Sequence, residues 1–167
     1  MVPMAELRAL LEGMGLGGVK TLLQSGNVIF SGEAKDAAML EQKLEAAAKK
    51  KFGRAIEFFV RDAATWKKIV AGNPFAGEAK RDPSHLVVLC LKEAPGKEAL
   101  AALKAAIVGR EVFRPGERCL YISYPDGIGT SKLTNAVIDR KLGLSGTARN
   151  WNTVLKIAAT MEGQPPA

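Results

Sequence analysis

The sequence predicts an α+β fold of two tandem halves, each of β-α-β-β-α-β order with an antiparallel sheet, the first half lacking its first strand. Three observations predict it. Stretches with apolar residues at helical spacing alternate with short apolar runs bounded by turn residues, which is the pattern of mixed helices and strands. The order helix, strand, turn, strand, helix, short strand, helix occurs twice. The closing segments of the two runs also align: Arg61-Asp62-x-x-Thr65-x-x-Lys68-Ile69 recurs 88 positions later as Arg149-Asn150-x-x-Thr153-x-x-Lys156-Ile157, as expected of a duplicated unit.

In chain order, Pro3 suits the start of a helix in which Met4, Leu7, Leu10, Leu11 and Met14 share a face until Gly15 stops it. Val19 to Gln24 and Val28 to Phe30 are rich in strand formers and flank Ser25-Gly26-Asn27, a connector suited to a hairpin. Asp36 can cap a helix with the stripe Leu40, Leu44, Ala47, Ala48 and Phe52, ended by Gly53, and Lys49, Lys50 and Lys51 complement its C-terminal dipole. Ile56, Phe58 and Val60 alternate as a strand should, and Asp62 caps a helix carrying Trp66, Ile69 and Val70.

Two prolines, two glycines and four charges between Gly72 and Ser84 read as a connection, with Asn73-Pro74-Phe75 as a local pin. The second half opens on Leu86 to Leu91, a continuous apolar run expected in the middle of a sheet. Lys97 to Val108 reads as a helix ended by Gly109. Glu111 to Arg114 and Cys119 to Ser123 read as a hairpin turning at Pro115-Gly116. A helix over Lys132 to Leu142, a short strand Thr147 to Arg149 and a helix from Trp151 follow, with Gln164-Pro165-Pro166-Ala167 as a frayed tail. The boundaries are therefore 1–72 for the incomplete first half, 73–84 for the linker, 85–162 for the second half and 163–167 for the tail. A strand before the helix at Pro3 would complete the first half. Two such units make tandem ferredoxin-like halves.

Composition bounds the function. Hydrophobic residues at 47% and charged residues at 25% suit a water-soluble globular chain. The apolar runs Leu86 to Leu91 and Phe58 to Val60 fall far short of the roughly 20 residues a membrane helix needs, so no membrane partner is expected. The first residues lack a secretory pattern, and the expected location is cytoplasmic. Cys90 and Cys119 have no C-x-x-C context and read as buried thiols. With one histidine and two cysteines, neither a metal site nor a cofactor is expected.

A net charge of +7 favours acidic partners. From Gly127 to Lys156 five basic residues (Lys132, Arg140, Lys141, Arg149, Lys156) face one acid, Asp139. Gly127 and Gly129 lead into a helix start with Ser131, Lys132 and Thr134 and no carboxylate, which suits an anion. The candidate ligand-binding residues are Gly129, Thr130, Ser131, Lys132, Thr134, Asn135, Arg149, Asn150 and Asn152, with Lys132 and Arg149 converging on one anion; the bland alternative is a plain cap at each helix start. Ser25, Gly26 and Asn27 are a secondary candidate, against a simple turn. Gly127-x-Gly129-x-x-Lys132 lacks the third glycine of a dinucleotide fingerprint and the Gly-Lys-Ser/Thr of a phosphate loop. His85 and Cys90, five apart on an extended strand, face opposite ways; His85 and Cys119 remain able to meet across strands.

Val2-Pro3-Met4-x-x-Leu7-Arg8, Leu23-Gln24-Ser25-Gly26-Asn27-Val28, Asn73-Pro74-Phe75, Ser131-Lys132-Leu133-Thr134-Asn135 and Thr147-Ala148-Arg149-Asn150-Trp151-Asn152-Thr153-Val154 together resemble the bacterial domain-of-unknown-function family sixteen-ninety-seven. The resemblance implies tandem ferredoxin-like halves and brings no activity with it. Members usually carry a strand ending in an Arg-Gly-Ile-Asn-like segment before the first helix, and this chain shows none.

Three functions follow as expectations. The first is a non-catalytic module binding a nucleotide, nucleic acid or phosphorylated metabolite near Lys132 and Arg149. The second is an enzyme for a phosphorylated or carboxylated small molecule, with the same two residues stabilising charge. The third is a protein-interaction module, including a homodimer, using the sheet edge left by the missing strand. An RNA-binding sheet is disfavoured by the 6% aromatic content.

Overall fold

The computed structural model describes residues 2–22, 26–32 and 36–163. Among these residues it shows a mixed α+β fold with two antiparallel sheets, one of two strands and one of four. Two compact units divide the chain, Met1–Trp66 with Lys156–Ala167, and Lys67–Leu155. These limits differ from the sequence-drawn boundaries, because the division falls inside two helices.

In the first unit, helix α1 (Met4–Gly13) follows Pro3, whose carbonyl accepts from the amides of Glu6 and Leu7. Strands β1 (Gly17–Leu22) and β2 (Asn27–Ser31) form the expected hairpin, closed by the pair Leu22 and Asn27. Helix α2 (Ala37–Phe52) is capped by Asp36, which accepts from Ala38 N and Met39 N, and ends at Gly53 in the left-handed region at φ 72°. Leu11, Val19 and Leu44 form the centre of this unit's core.

The predicted strand at Ile56 to Val60 is a correction: these residues join no ladder. Phe58 and Val60 still pack on the Leu11, Val19 and Leu44 core, so the apolar pattern holds without the pairing. Val60 N donates instead to Glu41 Oε2 at 2.7 Å, and Arg61 Nη1 stands 3.7 Å from the same oxygen. Both side chains are 4% exposed. The four-stranded sheet shows what differs, since there the unit's last strand pairs with its first; among the described residues no strand precedes α1 to receive Ile56 to Val60.

Helix α3 (Ala63–Ala71) starts under Asp62, whose Oδ1 accepts from Thr65 N at 2.7 Å. The stretch expected as a linker carries helix α4 (Ala76–Arg81) and a 3-10 turn at Pro83–His85. Phe75 N donates to Asn73 Oδ1 at 2.9 Å, which is the expected local pin.

Strand β3 (Leu86–Leu91) is buried along its whole length, as a central strand must be. Helix α5 (Lys97–Ala105) stops short of the predicted Val108, because Ala106 N turns to the carbonyls of Ala102 and Leu103 and tightens the last turn. Strands β4 (Val112–Gly116) and β5 (Cys119–Ser123) pair through Pro115 with Leu120 and Gly116 with Cys119, which moves the turn from Pro115-Gly116 to Glu117-Arg118. Pro115 is tolerated because β4 is an edge strand. Arg118 takes φ 54°, and its Nε and Nη2 anchor it to Lys92 O at 3.0 and 2.8 Å.

Helix α6 (Asn135–Leu142), strand β6 (Gly146–Asn150) and helix α7 (Trp151–Glu162) complete the order. The sheet runs β4-β5-β3-β6, antiparallel throughout. One face carries Val87, Leu89, Leu91, Leu120 and Ile122 against Leu103 of α5 and Ile138 and Leu142 of α6. Side-chain alternation sends Val88, Cys90, Cys119 and Tyr121 to the other face. There Tyr121 Oη donates to Ile69 O at 2.6 Å, and burial pushes its hydroxyl pKa up. Cys90 and Cys119 are 4% and 0% exposed, as predicted. Both thiols are expected to react with a disulfide reagent only at the rate of unfolding, and to titrate as two equivalents in denaturant. Prompt labelling of either in the native protein would contradict this burial.

Candidate functional site

The segment singled out in the sequence is the connection from β5 to α6. Tyr124, 3% exposed, anchors its start: its amide donates to His85 O at 2.9 Å and its hydroxyl to Leu133 O at 3.2 Å. Burial, helped by the charge of Glu111, pushes the Tyr124 hydroxyl up to about 12. The chain then turns at Gly127, whose amide donates to Tyr124 O and whose φ of 94° suits only glycine without strain. Asp126 takes both its oxygens to Arg110, and this hydrogen bond holds the carboxyl below its ordinary range. A lowered carboxyl pKa adds stability above its unfolded value and loses it as pH falls through the folded one. The pair is exposed, so that contribution is small.

Thr130 Oγ1 donates to Asp126 O at 3.2 Å, and Ser131 N to Ile128 O. Among the described residues the amides of Ile128, Gly129, Thr130 and Lys132 have no backbone partner, and all four residues are exposed. Leu133 is buried in the core that the sheet shares with α5 and α6, and it fixes the end of the loop.

The helix was expected to begin near Ser131. It begins at Asn135, because Thr134 is its cap and accepts from Val137 N at 3.3 Å. Ser131 stands before it, and its hydroxyl donates to Glu111 Oε1 at 2.7 Å while accepting from Leu133 N. The expectation of a start without a carboxylate is therefore corrected. Glu111 lies 20 residues away in sequence and reaches Ser131 only through the fold.

The structure does not bring Lys132 and Arg149 together as expected. Strand β6 pairs Ala148 with Leu89 and Arg149 with Val88. Ala148 packs on the α5 and α6 side. Alternation therefore turns Arg149 to the opposite side of the sheet from α6. There its Nη1 donates to Thr147 Oγ1 and Ala148 O, both at 2.8 Å, and burial lowers its pKa from the ordinary arginine value. Asn150 Oδ1 accepts from Thr153 N at 3.0 Å, capping α7 as Asp62 caps α3, and Asn152 is exposed in the first turn.

Of the secondary candidate, Ser25 lies outside the described residues. Gly26 is an exposed turn residue at φ 82°, while Asn27 is 8% exposed and donates from Nδ2 to Leu22 O, so Asn27 closes the hairpin instead of facing solvent. His85 and Cys119 do not meet, because Cys119 pairs with Cys90 at the far end of β3 from His85.

The structure adds a feature that the sequence analysis missed. His85 Nδ1 lies 2.7 Å from Asp82 Oδ2 across the 3-10 turn, and Ser84 Oγ donates to Asp82 Oδ1 at 3.4 Å. The signal available was Asp82-Pro83-Ser84-His85, where proline starts a turn that brings residues three apart together. These two side chains line a cleft of about 310 Å³ with Phe75, Val112, Tyr124 and Pro125 as apolar wall and Glu78, Arg81 and Ser123 as further polar lining. His85 also joins the cleft to the loop: a point one carbon out from Gly127 lies 3.9 Å from both His85 Nε2 and Thr130 Oγ1. Among the described residues no group of three or more His, Cys, Asp or Glu is placed to hold a metal ion. Among them, too, no helix is long and apolar enough to cross a membrane.

The sequence matches the model of a family described as protein of unknown function (DUF1697) over residues 1–121. A solved structure of a conserved bacterial protein from Streptococcus pneumoniae is similar at a TM-score of 0.73 and 20% identity, covering 96% of this chain and 89% of that one. At that identity the likeness shows a shared fold. No curated protein matches the sequence.

Proposed function

The chain belongs to this family of unknown function, whose description assigns no activity, and on that footing we propose that it is a non-catalytic module binding a small anionic molecule at the loop before α6. The observation that carries this is the run of exposed amides at Ile128, Gly129, Thr130 and Lys132, without a backbone partner among the described residues, leading to the α6 start. Successive free amides form an anion cradle, the helix dipole adds to it, and the exposed Lys132 ammonium supplies charge. The ligand set narrows to Gly129, Thr130, Lys132 and Asn135 with Ile128. Ser131 is held by Glu111, Thr134 is the cap, and Arg149, Asn150 and Asn152 belong to β6 and α7. We take the β-α-β-β-α-β order from β3 to β6, with its strand order β4-β5-β3-β6, as the ferredoxin-like half that carries the site.

Inorganic phosphate or sulfate is expected to raise Tm, by about 2.7 kcal/mol of added stability at a hundredfold excess over Kd. Lys132→Ala should remove most of that rise with ligand-free stability changed by no more than about 0.5 kcal/mol. Arg149→Ala should keep it. A wild-type melt unmoved by either anion, or one moved equally in Lys132→Ala, overturns the proposal.

The His85 and Asp82 pair favours a second reading, an enzyme for a phosphorylated or carboxylated substrate, because a carboxylate on Nδ1 orients Nε2 for proton transfer. Turnover of p-nitrophenyl phosphate lost in His85→Ala would carry that reading over the first.

A further inference from the structure

We propose that the cleft beside His85 seats the body of the ligand, and that the ligand is a phosphorylated molecule of mononucleotide size with one planar ring system. This rests on the loop at 128–132 taking the acidic group. The cleft volume of about 310 Å³ lies at the lower end of small-molecule pockets, so it admits one nucleoside and excludes a dinucleotide. Phe75, Val112, Tyr124 and Pro125 supply apolar lining to the occupant.

The arginine in the cleft is already matched: Arg81 pairs with Glu78 at 3.1 Å. A second anion would find no unmatched cation there, which assigns the charge to the loop and a neutral ring to the cleft. With Nδ1 donating to Asp82, the His85 ring is fixed and Nε2 is left for the occupant, as the acceptor for a ring N-H or an exocyclic amine.

Continuity comes from the same residues. Pro125 lines the cleft and begins the loop. His85 Nε2 and Thr130 Oγ1 lie equally near the point above Gly127, so a group crossing from ring to phosphate passes between them. A side chain at 127 would stand in that path, and glycine keeps it clear.

His85 is the only histidine in the chain, so its imidazole resonances report the cleft without assignment. The full chain is titrated with AMP, GMP, CMP and UMP and, separately, with inorganic phosphate, following those resonances and the amides of 128–132. At least one nucleotide is expected to bind tenfold or more tightly than phosphate and to shift the imidazole signals. His85→Ala should reduce nucleotide affinity to that of phosphate while leaving phosphate affinity unchanged. Val112→Glu, which puts a charge into the cleft from an edge strand, should do the same if the histidine variant folds poorly. Phosphate binding with no gain for any nucleotide overturns this inference and leaves the anion site standing. Nucleotide affinity undiminished in both variants also overturns it. Absence of binding by phosphate and nucleotides alike overturns both.

Discussion

Glu41→Ala is expected to lower the free energy of unfolding by about 3 to 5 kcal/mol, because it breaks a buried ion pair from one side only. The side chains of Glu41 and Arg61 are each 4% exposed, and the carboxylate also receives Val60 N at 2.7 Å. Removing it takes the nearby carboxylate from a buried guanidinium and the acceptor from a backbone amide. Neither can turn to water without opening the core of Leu11, Val19 and Leu44 on which Val60 packs. Replacing both partners by methionine should cost much less than either single change, since no uncompensated charge is left inside. Urea denaturation followed by circular dichroism measures all three. A loss under about 1 kcal/mol for Glu41→Ala would mean that the carboxylate is not holding this segment, and a double variant as unstable as the singles would place the energy in packing.

Leu120→Ala should cost about 2 to 5 kcal/mol, the range for truncating a leucine in a closed core. Leu120 is 0% exposed, lies between Pro115 and Leu89 in the ladder, and faces α5 and α6. It has close-packed neighbours on every side, so the vacated volume cannot readily collapse. Val108→Ala, at a residue 76% exposed just past α5, should change stability by less than about 0.5 kcal/mol. Equal effects from the two variants would show that the β5 face is not the centre of this core.

Helices were legible wherever a stripe ended in a recognisable cap. Asp36 and Gly53 bracket α2 as expected, and the aligned Asp62 and Asn150 cap α3 and α7 in the same way, so the internal repeat is a repeat of local chemistry. The turn at Glu117-Arg118 escaped because it spends the favourable Pro115-Gly116 inside a strand. There Gly116 leaves room for Cys119 Sγ and the Tyr121 ring, each 2.7 Å from where its Cβ would be. That demand is set by the neighbouring strand and is invisible in a turn propensity.

The sequence by itself determined the α+β class, the burial of β3 and both thiols, and the glycine-bearing loop before α6, because periodicity, caps and composition act over a few residues. Tertiary structure alone decided what those pieces meet. Ile56 to Val60 has the alternation of a strand, yet a ladder needs a partner, and Glu41 takes its last amide instead. Ser131 has the appearance of an open helix start until Glu111 arrives from β4's approach. Lys132 and Arg149 look like one charge cluster along the chain, but a sheet lies between α6 and Arg149, and the two-residue period of β6 assigns each side chain to its face. Side-chain chemistry is written locally; which groups share a site depends on strand register and on contacts such as Tyr121 with Ile69, 52 residues apart, that no local pattern encodes.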